Sequence, residues 1–87
     1  MIDNKDRSRF ELEEDGHLAW AEYRIRDGKY LIPHVEADPA LRGTGAAGRL
    51  MQQIVVHARA EKLVIVPRCS YALAWFDRHP EAEDVLD

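Results

Sequence analysis

After a polar start, apolar and polar residues alternate in the first part of the chain, then apolar residues recur every three or four, and the two periods predict different elements. Arg9-Phe10-Glu11-Leu12-Glu13 alternates and predicts a half-buried strand. Asp15-Gly16 follows, a dipeptide that favours a tight hairpin turn. His17 to Arg26 predicts a second strand, with Ala19, Ala21, Tyr23 and Ile25 on its apolar face, and Asp27-Gly28 repeats the turn signal. Tyr30 to Ala37 predicts a third strand. Its Pro33 has no N–H for a ladder, so this strand must lie at an edge or bulge at that point. Ala47, Leu50, Met51, Ile54, Val55 and Ala58 then fall on one face of a helix, with Val56 an exception on the wet side. Leu63 to Val66 is short, apolar and β-branched, which predicts a strand buried on both faces and ended by Pro67. Ser70 to Arg78 predicts a last helix, capped by Ser70, packed through Tyr71, Leu73, Ala74 and Trp75, and stopped by His79-Pro80. Residues 1–7 are polar and predict a frayed start; Glu81 to Asp87 predicts a loosely packed acidic tail.

Two hairpins in a row make an antiparallel meander. The strand, helix, strand order that follows implies a right-handed crossover and a parallel pair. The expected class is therefore α/β (α+β): a β-meander, a β-α-β crossover and a C-terminal helix. With 87 residues, one domain spanning 1–87 is expected.

Charge and cysteine content narrow the function. The net charge is −4, a poor basis for binding nucleic acid, which needs a basic surface. An acidic protein suits a cationic acceptor such as an amine. Cys69 is the only cysteine, so neither an internal disulfide nor a cysteine-rich metal site is expected, and a reducing cytoplasm fits best. His17, His57 and His79 are not spaced as metal ligands, so no metal is expected. The opening residues carry no apolar secretory core, and the run Leu63–Val66 is far too short to span a bilayer, so no membrane association is expected.

Arg42-Gly43-Thr44-Gly45-Ala46-Ala47-Gly48 joins a strand directly to a helix. The first N–H groups of a helix lack partners inside it, and the helix dipole favours an anion beside them. Glycines let a phosphate approach the main chain, and Arg42 can add a charge-assisted bond. The alternative is a glycine-rich turn with no ligand; three glycines and an arginine at one junction favour the anion site. The Lys-Ser/Thr of a nucleotide P-loop and the G-x-G-x-x-G spacing of a dinucleotide fold are both missing.

Arg42-Gly43-Thr44-Gly45-Ala46-Ala47 resembles the Arg/Gln-x-x-Gly-x-Gly/Ala motif of the Gcn5-related N-acetyltransferases. The chain is similar to their short, cysteine-containing subfamily in three further segments: His34-Val35-Glu36, Pro67-Arg68-Cys69 and Arg78-His79-Pro80-Glu81. The resemblance covers roughly Arg9 to Asp84, in matching order. It implies acetyl-CoA as cofactor, with the pyrophosphate cradled by Arg42, Gly43, Thr44, Gly45, Ala46, Ala47 and Gly48. It implies that main-chain groups of Val35, Glu36 and Ala37 hold the pantetheine arm and thioester carbonyl, where the third and fourth strands splay. Cys69 and Tyr71 would also meet the cofactor.

His34 and Glu36 lie two apart on a strand and share a face, so either can act as general base toward an amine. Glu36 is the first choice, against a solvated carboxylate; His34 is second, against a structural histidine. Cys69 precedes a helix N-terminus, an environment that suits a reactive thiol. It can contact coenzyme A, carry the acetyl group or protonate the leaving sulfur; otherwise it is a small apolar filler. Where larger relatives place an acidic tyrosine, this sequence has Trp75, whose indole donates hydrogen bonds but is no useful acid. That role passes to Cys69 or Tyr71, or stays empty. The chain also lacks the helices that larger relatives insert after the first strand, so the acceptor side should be open. The function expected is acetyl transfer to a primary amine of unidentified identity, by a monomer or weak dimer. The rival is a non-catalytic acyl-CoA sensor, and a third possibility is an interaction domain that binds no nucleotide.

Overall fold

The computed structural model describes residues 1–87, in the order β1 (Ile2–Asn4), β2 (Arg9–Glu14), β3 (His17–Arg26), β4 (Lys29–Ala37), a 3-10 turn (Pro39–Leu41), α1 (Ala46–Glu61), β5 (Val64–Pro67), α2 (Ser70–Asp77) and a second 3-10 turn (Pro80–Val85). The strands form one five-stranded sheet in sequence order. β1 to β4 run antiparallel, and β5 joins β4 in parallel after the crossover through α1. This is the mixed α+β arrangement that the change of period predicts. Asp15, Gly16, Asp27 and Gly28 all have positive φ, at 51°, 77°, 54° and 76°. Two such residues in succession give the turn whose twist matches the flanking strands.

Two prolines decide where the sheet opens. Between Glu22 and Arg24 the β3–β4 register shifts, so that Tyr23 faces two residues of β4, Ile32 and Pro33. Pro33 thus sits in a bulge, where its missing N–H costs the ladder nothing. On the other edge, β4 pairs with β5 only from Lys29–Val64 to Ile32–Pro67. Pro67 also lacks an N–H, and the last bond across the pair is Arg68 N–H to Ile32 O at 2.9 Å. From Pro33 to Ala37, β4 has β3 on one side and no strand on the other.

The core lies on one face of the sheet. Phe10, Ala19, Ala21, Tyr23, Ile32 and Ile65 are buried there against Leu50, Met51, Ile54, Val55 and Ala58 of α1 and Ala72, Trp75 and Phe76 of α2. Val56 is exposed, as its place on the wet side predicts. The opposite face carries Trp20, Glu22, His34, Glu36, Val64 and Val66, none of them buried. The expectation that the last strand is buried on both faces is therefore corrected. The crossover puts α1 on one face and α2 packs beside it, so Ile65 is buried while Val64 and Val66 are only half-buried.

Five other expectations change. Within residues 1–7, expected to fray, Ile2–Asn4 pairs with β2, and the Tyr23 hydroxyl donates to Asp3 at 2.6 Å. Ile25 is 59% exposed, because β2 begins opposite Glu22 and leaves this end of β3 with a neighbour on one side only. The cap of α2 is Cys69, whose Sγ accepts the Ala72 N–H at 3.3 Å; Ser70 is the first helical residue and exposed. Leu73 is 48% exposed, and α2 packs instead through Ala72, Trp75 and Phe76. The acidic tail is not loose. Pro80 starts a 3-10 turn that buries Ala82 and Val85, and Leu86 bridges to Ile65. No helix is long and apolar enough to cross a membrane.

Ion pairs fasten both ends of α1. Arg49 Nε and Nη2 donate to the two Glu14 oxygens at 2.7 Å each. Arg59 does the same to Asp84 at 2.8 Å and reaches the Glu81 carbonyl at 2.8 Å. The Arg49 hydrogen bond holds the Glu14 carboxyl below its ordinary 4.5, and the Arg59 bond holds Asp84 below 3.8. A depressed carboxyl stabilises the fold above its unfolded value, and that gain is lost as pH falls through the folded value. Melting temperature is expected to hold from neutrality to about pH 5, and then to fall below about pH 4.5. The fall should shrink in about 1 M salt, since both pairs are exposed. Thermal melts in Glu14→Gln and Asp84→Asn should show a flatter acid limb than wild type.

Candidate functional site

The loop between β4 and α1 is held by its own bonds. Asp38 Oδ1 accepts the Ala40 N–H at 3.0 Å, and Leu41 N–H returns to the Asp38 carbonyl at 2.8 Å. Thr44 N–H donates to Leu41 O at 3.1 Å, its hydroxyl donates to the same oxygen at 2.6 Å, and that hydroxyl accepts the Ala46 N–H at 3.3 Å. Thr44 and Ala46 therefore spend their polar groups on the shape of the loop. Gly43 and Gly45 have φ of 78° and 86°, a conformation that side chains rarely adopt.

What the loop leaves free is a set of donors. Gly45 is the N-cap of α1 without a side chain to cap it, and no acidic residue lies in the first turn. The backbone N–H groups of Gly43, Gly45, Ala47 and Gly48 find no acceptor in the protein; Arg49 N–H, bonded to Gly45 O at 3.1 Å, is the first in α1 to find a main-chain one. Helix starts usually carry a capping side chain or a carboxylate. This one carries neither and points four N–H groups outward at the positive end of a sixteen-residue helix. Such a donor set can hold a phosphate. Arg42 stands at the loop, exposed and free of any ion pair. Arg49 is a residue whose place the sequence does not reveal, since helical spacing puts it only on the wet face. Its Nη1 lies 3.1 Å from where a Cβ on Gly45 would stand, while its other nitrogens anchor Glu14. A basic residue in a first helical turn opposes the dipole and needs a partner, and that is the signal the sequence carried.

The splayed edge of β4 supplies a second donor set. Asp38 N–H bonds Leu18 O at 2.8 Å, which fixes the phase of the β3–β4 ladder. Trp20–Glu36 and Glu22–His34 are then the hydrogen-bonded pairs, because such pairs alternate in antiparallel sheets. Main-chain groups of Val35 and Ala37 point the other way, into the gap that β5 leaves. Pro33 has no N–H, so Val35 carries the first free β4 donor beyond the apex. The main chain of Glu36, by contrast, is engaged by β3.

The side chains of His34 and Glu36 project from the uncovered face and meet, Nε2 to Oε2, at 2.9 Å. They are 47% and 41% exposed, open to a solute. Cys69 lies on the far wall of the gap, one residue past the Arg68–Ile32 bond, half-buried and free. Tyr71 of α2 is also half-buried, and burial pushes its hydroxyl above the usual tyrosine value. Trp75 is buried, stacked on His79 at 3.9 Å with Phe76 edge-on at 5.1 Å. Thus the open edge of β4 at Val35 and Ala37 forms one side of the gap and the chain leaving β5 through Cys69 the other, with His34 and Glu36 beside it on the uncovered face; Tyr71 lies next to the start of α1, its hydroxyl oxygen 3.8 Å from where a Cβ on Gly48 would stand.

A strand with a bulge, a splayed parallel pair and an uncapped helix start at the mouth of the splay now stand together. The profile of the GCN5-related N-acetyl-transferases matches residues 9–85. The chain belongs to that family. The match takes in the sheet from β2 onward, both helices and the whole of the last 3-10 turn. Membership in the GCN5-related N-acetyltransferases makes acetyl transfer the class of reaction to consider, and the family generally uses acetyl-CoA. A search of curated proteins returned no match to this chain.

Proposed function

We propose that this protein is a minimal N-acetyltransferase of the short, cysteine-containing kind, binding acetyl-CoA and passing its acetyl group to a primary amine. The observation that carries the proposal is the set of free N–H groups at Gly43, Gly45, Ala47 and Gly48, uncapped and uncompensated, with Arg42 beside them. These would take the pyrophosphate, while Thr44 and Ala46 hold the loop in shape. Val35 and Ala37 would hold the pantetheine arm along the open edge of β4. Acetyl-CoA, when bound, supplies an acetyl group activated as a thioester. The Val35 N–H would polarise the thioester carbonyl at the apex of the gap. The His34–Glu36 pair, beside the same edge, would take the proton that the attacking amine gives up. Cys69, on the opposite wall, would contact the sulfur end of the cofactor. Holding both reactants there supplies much of the rate. The proposed unit is the whole of residues 1–87, acting as a monomer or weak dimer in the cytoplasm, a setting suited to its one free cysteine.

A second reading, an acyl-CoA sensor without turnover, is favoured by the acid inventory. Trp75 stands where larger relatives place an acidic tyrosine, and burial makes Tyr71 a poorer acid than an ordinary tyrosine. Labelled acetyl-CoA offered with a panel of polyamines, small amines and lysine peptides separates the two. Transfer to at least one amine is expected, and label retained in coenzyme form across the panel leaves the sensor. Intact mass after incubation with acetyl-CoA alone then assigns Cys69. An acetyl adduct lost in Cys69→Ser gives it an acyl-carrying role; no adduct leaves it a contact residue.

A further inference from the structure

Trp75 is 3% exposed, and stacking on His79 at an interplanar angle of 12° fixes its ring. Its one polar atom, Nε1, has no acceptor in the protein, yet no fully enclosed polar side-chain atom is left unpartnered, so Nε1 must open onto solvent. The place it opens onto is specific. A Cβ built on Gly48, in the first turn of α1, would lie 3.8 Å from Trp75 Nε1 and 3.8 Å from the Tyr71 hydroxyl oxygen. The Tyr71 hydroxyl is likewise without a partner, and so is the Gly48 N–H. Two unpartnered side-chain donors of α2 therefore stand beside the first turn of α1, where the Gly48 N–H is also unpartnered; of the three, only the Tyr71 hydroxyl can also accept. The indole is otherwise buried, so its N–H meets solvent beside this uncapped helix start, where it can donate to a solute.

We propose that Trp75 Nε1–H, the Tyr71 hydroxyl and the Gly48 N–H together bind a pyrophosphate oxygen of coenzyme A, extending the cradle from the α1 loop onto α2. The inference rests on the assignment of that loop to the coenzyme. A phosphate oxygen suits the site better than an amide carbonyl. It is anionic, it sits at the positive end of α1, and it accepts several donors at once. The same geometry explains a glycine at position 48. An alanine would fit the fold at ordinary contact distance but would fill the space between the donors.

Indole N–H resonances of the 15N-labelled protein test this, with Trp20 as internal control and Trp20→Phe fixing the assignment. Trp20 lies on the uncovered face and should not respond. Coenzyme A and ADP, which carries the diphosphate without the pantetheine arm, should both move the Trp75 resonance downfield. Trp75→Phe should weaken coenzyme A binding by about three- to tenfold, the size of one neutral-donor bond. A response to pantetheine but not to ADP would overturn the proposal in favour of the arm. An unmoved Trp75 resonance under saturating coenzyme A would overturn it while sparing the loop. Calorimetry showing no coenzyme A binding by wild type would instead remove the assignment on which it rests.

Discussion

Phe10→Ala is expected to destabilise the fold by about 3–5 kcal/mol, the usual cost of a fully buried phenylalanine. Phe10 is 0% exposed and pairs with Ala21 in the middle of the sheet. Its ring lies 4.7 Å from Tyr23, 5.9 Å from Tyr30 and 5.6 Å from His57, so its loss opens a hole bounded by three other rings. Alanine neighbours on β3 at positions 19 and 21 cannot grow into that hole, and β3 is fixed on both sides by pairing. Small domains have only about 5–15 kcal/mol to lose, so the variant should give up a large share of the wild-type stability. Chemical denaturation measures this directly. A loss under about 1 kcal/mol would mean that the face under α1 is not packed as described.

The second large effect is catalytic. His34→Ala is expected to lower kcat by about 10²–10⁴, the usual contribution of a positioned base, on whichever amine the wild type acetylates. Coenzyme A affinity should stay level, because the His34 side chain is on the uncovered face and the main-chain donors of β4 remain. Glu36→Gln should cost less. The 2.9 Å contact joins Nε2 to the carboxylate, which leaves Nδ1 as the nitrogen available to take a proton. The sequence alone ranks Glu36 first, and the two variants decide between that order and its reverse. Equal losses in the two variants, or an affinity loss in His34→Ala, would contradict the division of roles.

Much of the fold was legible because single residue types decide it. Two Asp-Gly dipeptides set the hairpins, the three-four spacing from Ala47 to Ala58 set α1, and Pro33 required an edge or a bulge, of which the bulge is found. What escaped depends on how elements meet. Apolarity alone does not tell that both helices lie on one face, so Val64 and Val66 read as doubly buried. Three residues are too few for periodicity to mark β1, and Ala82 and Val85 are too sparse to reveal a packed tail. In the site, the loop was legible because glycines and an arginine stand together in sequence. The donor pair Trp75 and Tyr71 was not, since its meaning comes from Gly48 on another helix. The cap at Cys69 escaped by one residue, because Ser70 is the more common choice at such a position.

The proposed activity depends on the α1 loop holding a pyrophosphate. Calorimetric titration of coenzyme A into wild type and Arg42→Ala tests that most directly. Arg42 makes no ion pair, so its removal should leave melting temperature nearly unchanged. Binding by the wild type is expected, weakened by about 1–3 kcal/mol in the variant as a charge-assisted phosphate contact is lost. No binding by the wild type at high protein concentration, or equal affinity in the two proteins, would contradict it.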